Sequence, residues 1–190
     1  CVENRRVLGR AEAWGVLFCH HGMRFILTRL GQCKRRYPKG ENFMRLYHAS
    51  TQTVSEPKIV NRSPYLDFGT GFYTTTNLAQ AEDFARKAFV RRGMEGAPTL
   101  NSYECDMERA GRELRALEFS EPNEEWLEFV VHNRKQGRDK ALEVDIIIGP
   151  VANDDVFTTV TLYEQGQITA RAALEMLKIK ELFTQILFCN

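Results

Sequence analysis

His48 and Tyr73 are the residues of this sequence best placed to do chemistry. His48 lies in Leu46-Tyr47-His48-Ala49-Ser50, which reads as a short strand whose polar end opens into a loop. Tyr73 lies in Leu66-Asp67-Phe68-Gly69-Thr70-Gly71-Phe72-Tyr73-Thr74-Thr75-Thr76-Asn77. Gly69 and Gly71 let the backbone turn and approach another group closely, and the aromatic and β-branched run after them favours an extended strand. A His and a Tyr at the ends of two adjacent strands suit a flat, positively charged aromatic ring such as nicotinamide.

Each residue also has a plainer reading. A lone His at a strand end is more often a hydrogen-bonded structural residue than a catalytic one, and a strand Tyr is more often a half-buried aromatic. Tyr47 and Phe72 alternate to the other faces of their strands and are assigned to the core. Gly149-Pro150-Val151-Ala152-Asn153-Asp154-Asp155 reads as a strand stop followed by an Asn/Asp helix cap, or as a stretch that brings Asn153 and Asp154 to a site. Asp67 and Asn133-Arg134 are open in the same way: the Arg meets a pyrophosphate, or is an exposed helix charge. No metal is expected, because His20-His21, His48 and His132 have neither zinc spacing nor cysteine companions.

The three motifs, in this order from about residue 44 to the C-terminus, resemble those of a family of bacterial proteins grouped with the ADP-ribosyltransferases. The resemblance implies an ADP-ribosyltransferase-like split antiparallel or mixed β-sheet core with flanking helices. It also implies NAD as substrate, no metal, and transfer of a single ADP-ribose to an acceptor with release of nicotinamide. In the branch with histidine, tyrosine and glutamate on three core strands, the residue matching His48 bonds the ribose. The one matching Ala49 offers its backbone to the carboxamide, with Ser50 adding a hydroxyl. Tyr73 stacks on nicotinamide, Gly69 and Gly71 bring the loop near the ligand, and Asn153 and Asp154 fall on the acceptor side. The glutamate position is matched by Gln185, ahead of Ile186-Leu187-Phe188, with Glu181 a second choice. Gln185 can accept a bond from a ribose hydroxyl but carries no charge to stabilise an oxocarbenium-like centre, so chain elongation is not expected. The resemblance extends to toxins with a cognate antitoxin. A catalytically inactive nucleotide- or protein-binding module of the same fold is the alternative.

Bulk properties fit such a domain. A chain of 190 residues, 43% hydrophobic and 27% charged, is one globular domain or one domain with an appendage. The net charge of +1 conceals an asymmetry of +6 over residues 1–43 and −5 over 44–190, so the part that carries the motifs shows no nucleic-acid footprint. Residues 1–43 are therefore separated as a basic extension, read either as lying outside a natural domain that starts at Met44 or as an arm that touches an acidic partner, with a short helix within Gly15–Leu30. Five cysteines without a C-x-x-C pair read as free thiols, and with no membrane span or secretory leader the expected location is the cytoplasm.

The remaining periodicities give an α+β chain with three or four helices. Strands are expected at 45–48, 71–76, 102–107, 114–119, 144–148 and 182–189, with an extended piece at 58–60. Helices are expected from Asn77 or Thr76 with Leu78, Ala81, Phe84, Ala85, Ala88 and Phe89 on one face, and over 122–136 with Trp126, Phe129, Val130 and Asn133 inward. Two more run from Asn153 or Asp154 to Tyr163 and from Thr169 to Leu177. A turn at Arg109–Glu113 separates two of the strands.

Overall fold

A computed structural model describes residues 3–6, 16–18, 24–26, 43–60, 63–150, 154–178 and 182–189. The architecture is mixed α+β. In chain order the elements are β1 (Glu3–Arg6), β2 (Val16–Phe18), β3 (Arg24–Ile26), β4 (Phe43–Ser50), β5 (Phe72–Thr75), α1 (Leu78–Arg91) and β6 (Thr99–Asp106). They continue with α2 (Met107–Glu113), β7 (Ala116–Glu118), α3 (Glu124–Gln136), β8 (Ile146–Pro150), α4 (Asp154–Glu164), α5 (Ala170–Leu177) and β9 (Thr184–Phe188). The chain forms two compact units, 1–57 with 74–114 and 58–73 with 115–190.

In the first unit β6 is the central strand, antiparallel to β1 on one side and to β4 on the other. Its residues from Thr99 to Cys105 are all buried, as a strand covered on both faces requires. β4 follows β6 over its whole length, from Phe43↔Asp106 to Ser50↔Thr99, and it pairs with β5 at Tyr47↔Thr75. Helix α1 packs on β4 and β6. Asn77 caps it, its Oδ1 accepting from the Gln80 amide at 2.9 Å. The small residues Ala81 and Ala85 face inward, while Leu78 and Phe84, expected in the stripe, are exposed. Alanines admit a close helix-to-sheet approach, and Phe84 lies outside under the Arg91 guanidinium, 4.8 Å from the ring centroid.

Two expectations fail in this unit. Within Gly15–Leu30, the described residues are the strands β2 and β3, paired antiparallel with Leu17↔Phe25, rather than a helix. Their apolar runs are short and rich in β-branched and aromatic residues, which suits a strand. The Arg109–Glu113 turn is helix α2, capped by Asp106, whose Oδ1 accepts from the Arg109 amide at 2.9 Å. Ion pairs Arg109–Glu113 and Arg112–Glu108 one turn apart support it, and together with the cap they outweigh the cost of Gly111.

In the second unit β7 runs parallel to β8, and β8 antiparallel to β9. Helices α3, α4 and α5 pack on one another over a core that includes Phe68, Phe119, Trp126, Ile147, Val160 and Leu187. Asn123 caps α3 through the Trp126 amide at 2.8 Å, Gly137 ends it at φ 76°, and Thr169 caps α5. Trp126, Leu127, Val130 and Asn133 are the buried α3 residues, while Phe129 is half-buried. β8 does not stop before Gly149-Pro150 but runs through both, with Gly149 opposite Gln185 and Pro150 opposite Thr184. A Cβ on Gly149 would lie 3.0 Å from Phe68 Cζ and 3.3 Å from Phe119 Cβ, so packing accounts for this glycine. No strand forms at 58–60.

Burial of ionisable core groups sets an alkaline limit on stability. Desolvation, followed by the Asp106 carboxylate, pushes the Cys105 thiol from 9.0 up to about 12, and burial raises Cys189, Tyr73 and Tyr103 as well. An unfolded chain releases these protons first, so stability is full below pH about 9 and falls as pH rises, by roughly 1.4 kcal/mol per pH unit for each such group. Urea unfolding midpoints measured from pH 7 to 10.5 should be flat and then drop, less steeply in Cys105→Ala. A flat alkaline limb would contradict the burial of these groups.

Candidate functional site

Each unit carries part of the nominated set. The first holds His48, Ala49 and Ser50 at the end of β4. The ladder of β4 with β6 continues through Ala49↔Leu100 and Ser50↔Thr99. His48 and Ala49 are half-buried and Ser50 is buried, its Oγ accepting weakly from the Gln52 amide at 3.4 Å.

The loop that follows is held from behind. Asn101, fully buried on β6 opposite His48, donates from Nδ2 to the His48 carbonyl at 3.3 Å and to the Gln52 carbonyl at 3.4 Å. Its Oδ1 accepts from the Val54 amide at 2.8 Å. Tyr103, also fully buried, donates from its hydroxyl to the Val54 carbonyl at 2.8 Å. Thr51 accepts from Arg92 at its hydroxyl (2.8 Å) and from the Ala97 amide at its carbonyl (3.0 Å). Gly96, at φ +83°, makes room for that carbonyl: a Cβ there would sit 2.3 Å from it. Arg45, which precedes His48 on β4, pairs with buried Glu104 at 3.2 Å.

The second unit holds Gly69, Gly71, Tyr73 and Gln185. The Tyr73 hydroxyl donates to the Gly69 carbonyl at 2.6 Å and accepts from the Phe68 amide at 3.2 Å. Its pKa lies above the ordinary phenol value, chiefly through desolvation, so it remains a neutral tether that closes its own loop. Three α3-side residues clamp the same loop. Asn133 Nδ2 donates to the Asp67 carbonyl at 3.0 Å, Arg134 Nε to the Asp67 carboxylate at 2.7 Å, and Arg138 to the Thr70 carbonyl at 3.0 Å and the Cys189 sulfur at 3.0 Å. Arg134 is thus a nine-tenths buried, paired cation over the Phe157 ring rather than an exposed helix charge.

The glycines make their close approaches to this chain's own atoms. A Cβ on Gly69, at φ +77°, would lie 2.7 Å from Arg138 Cβ, and one on Gly71 would lie 2.5 Å from both Leu187 Cδ1 and the Phe188 carbonyl. Gln185 is buried on β9, and its Nε2 has no hydrogen-bond partner among the described residues. Asp154 opens α4, while Asn153 and Glu181 lie outside the described residues.

A family model described as "protein of unknown function (DUF3990)" matches residues 44–190. The chain belongs to the DUF3990 family. No curated protein and no solved structure matches it. The DUF3990 match takes in all three motifs and starts at Met44.

Among the described residues of this DUF3990 member, no group of three or more His, Cys, Asp or Glu is arranged to hold a metal ion, and no helix is long and apolar enough to cross a membrane. The second unit also has an open groove of about 730 Å³ lined by Pro64, Thr70, Arg115, Arg138, Lys140 and Val144 among others. It includes none of the nominated site residues, and Arg115 is engaged by Glu143 and Asp145. The residues that sequence reasoning passed over are Asn101, Tyr103 and Arg138. Asn101 carried one signal, a strongly polar amide inside a strand of otherwise β-favouring residues.

Proposed function

We propose that this DUF3990 member is an NAD-dependent mono-ADP-ribosyltransferase built on an ADP-ribosyltransferase-like split sheet. The observation that carries the reading is the braced end of β4: β6 pairs with His48, Ala49 and Ser50, and the buried Asn101 side chain bonds the His48 and Gln52 carbonyls and the Val54 amide, so the backbone at Ala49 is held in one geometry beside His48. In this reading His48 bonds the ribose, Ala49 reads the carboxamide through its backbone with Ser50 beside it, and the Tyr73 ring lies against nicotinamide. The Tyr73 hydroxyl bonds Phe68 and Gly69, so its part toward the ligand falls to the half-buried ring, which also packs against the core of the second unit.

The glycosidic bond from ribose C1′ to the nicotinamide nitrogen breaks, its electron pair leaving with neutral nicotinamide. An acceptor nucleophile bonds to C1′ and gives up its proton. Holding NAD in an oriented pose supplies most of the acceleration, and no metal is part of the proposal. Gln185, uncharged where the glutamate would stand, favours one transfer over chain growth. The acceptor is unassigned, and an antitoxin protein is the natural partner if the enzyme acts as a toxin in its cell.

Two measurements test this. NAD at millimolar concentration should raise the melting temperature, and labelled NAD should label a target in lysate, with His48→Ala reducing labelling about 100-fold, roughly 2.7 kcal/mol of barrier. Tyr73→Phe keeps the ring but releases the loop tether and should fall between wild type and His48→Ala. No stabilisation by NAD would defeat the proposal. The buried, uncharged Gln185 favours one other reading, a binding module without turnover, which would show NAD stabilisation and no nicotinamide release.

A further inference from the structure

We infer that Asn101 is a positioning residue for the carboxamide-reading backbone at Ala49, an inference that rests on the NAD reading above. Asn101 has no exposed surface, and its side chain bonds the end of β4 and the loop after it. One side-chain amide grips the chain on both sides of Ala49, at the His48 carbonyl before it and at Gln52 and Val54 after it. A buried amide satisfied at both its oxygen and its nitrogen fixes geometry, because slippage of the loop would leave buried polar groups without partners.

Its neighbours show that the arrangement is directed at the loop. Tyr103, two residues on and on the same face of β6, takes the other polar group of Val54, while Arg92 takes the Thr51 hydroxyl and Ala97 its carbonyl. Residues 51–54 are therefore anchored from β6 and from the segment that follows α1. The Asn101 side chain bonds on both sides of Ala49, so it fixes the backbone there in one conformation. The role assigned to it is recognition of the nicotinamide half of NAD; the adenosine diphosphate and ribose parts do not depend on it.

The test compares NAD with ADP-ribose, which lacks nicotinamide, on wild type, Asn101→Ala and Asn101→Asp, by calorimetry or thermal shift. Asn101→Ala removes the whole clip, and Asn101→Asp keeps only the acceptor for Val54. Both should weaken NAD about tenfold and leave ADP-ribose within about twofold. Parallel weakening of both ligands would make Asn101 a residue of general stability and overturn the inference, as would unchanged NAD affinity. If wild type binds neither ligand, the NAD reading itself fails, an outcome distinct from failure at Asn101 alone. Should the variants not fold, wild-type amide spectra decide: NAD but not ADP-ribose should shift the Asn101 side-chain and Val54 amide signals, and equal shifts with both ligands would overturn the assignment.

Discussion

Trp126→Ala is expected to remove about 3–5 kcal/mol of stability, the usual cost of deleting a large aromatic from a closed core. Trp126 is fully buried on α3, inside the cluster that contains Phe68, Ile147 and Leu187. Its indole Nε1 donates to the Pro150 carbonyl at 3.3 Å, so truncation also leaves a buried acceptor at the end of β8 without that partner, at roughly 1 kcal/mol or more. Against a typical total of about 5–15 kcal/mol, little of the second unit's stability would remain. Trp126→Phe, which retains most of the volume, should cost less than half as much. Urea unfolding followed by circular dichroism reads both, and a loss under about 1 kcal/mol for Trp126→Ala would mean that the core around α3 is not closed as described.

Arg134→Met is expected to cost about 3 kcal/mol, at the lower end of the range for breaking one side of a buried ion pair. The Arg134 side chain is 9% exposed and that of Asp67 is 17%, and Nε lies 2.7 Å from Oδ1. Removing the cation strands the Asp67 carboxylate in a largely dry site and ends the contact with the Phe157 ring at 4.5 Å. Arg134 NH1 has no partner among the described residues, which subtracts from what the pair contributes and sets the lower figure. Asp67→Asn combined with Arg134→Met should cost less than the sum of the single changes, and strict additivity in the cycle would show that the pair does not act as one. Because Asp67 opens the loop that Tyr73 closes, Arg134→Met should also weaken any NAD response more than a surface substitution on α3 such as Glu128→Ala.

Local chemistry explains which parts of this molecule were legible in its sequence. Asn77 and Thr169 cap helices, and Gly137 and Gly166 sit at positive φ where helices end, as their types and spacing indicated, whereas the cap at Asn123 falls inside the stretch read as helix. A cap or stop works through atoms three or four residues away, so its evidence is contained in a short window. Helix α2 was missed because Gly111 reads as a turn when the cap at Asp106 and two charge pairs around it go uncounted. Phe84 was assigned inward because period alone cannot tell a helix that lies on a sheet through alanines from one that lies on it through large side chains.

The candidate site divides along the same line. His48, Tyr73 and Gln185 were nominated from residue type and motif, and the order of elements around them follows from propensity and capping. That Asn101 grips the chain 53 residues away at His48, that Arg134 meets Asp67 across 67 residues, and that Gly71 is needed by Leu187 and Phe188 were decided by the tertiary structure alone. The reason is energetic: a buried amide, ion pair or close backbone contact gains its value from the absence of water around it, and no stretch of sequence specifies which distant segment will exclude that water.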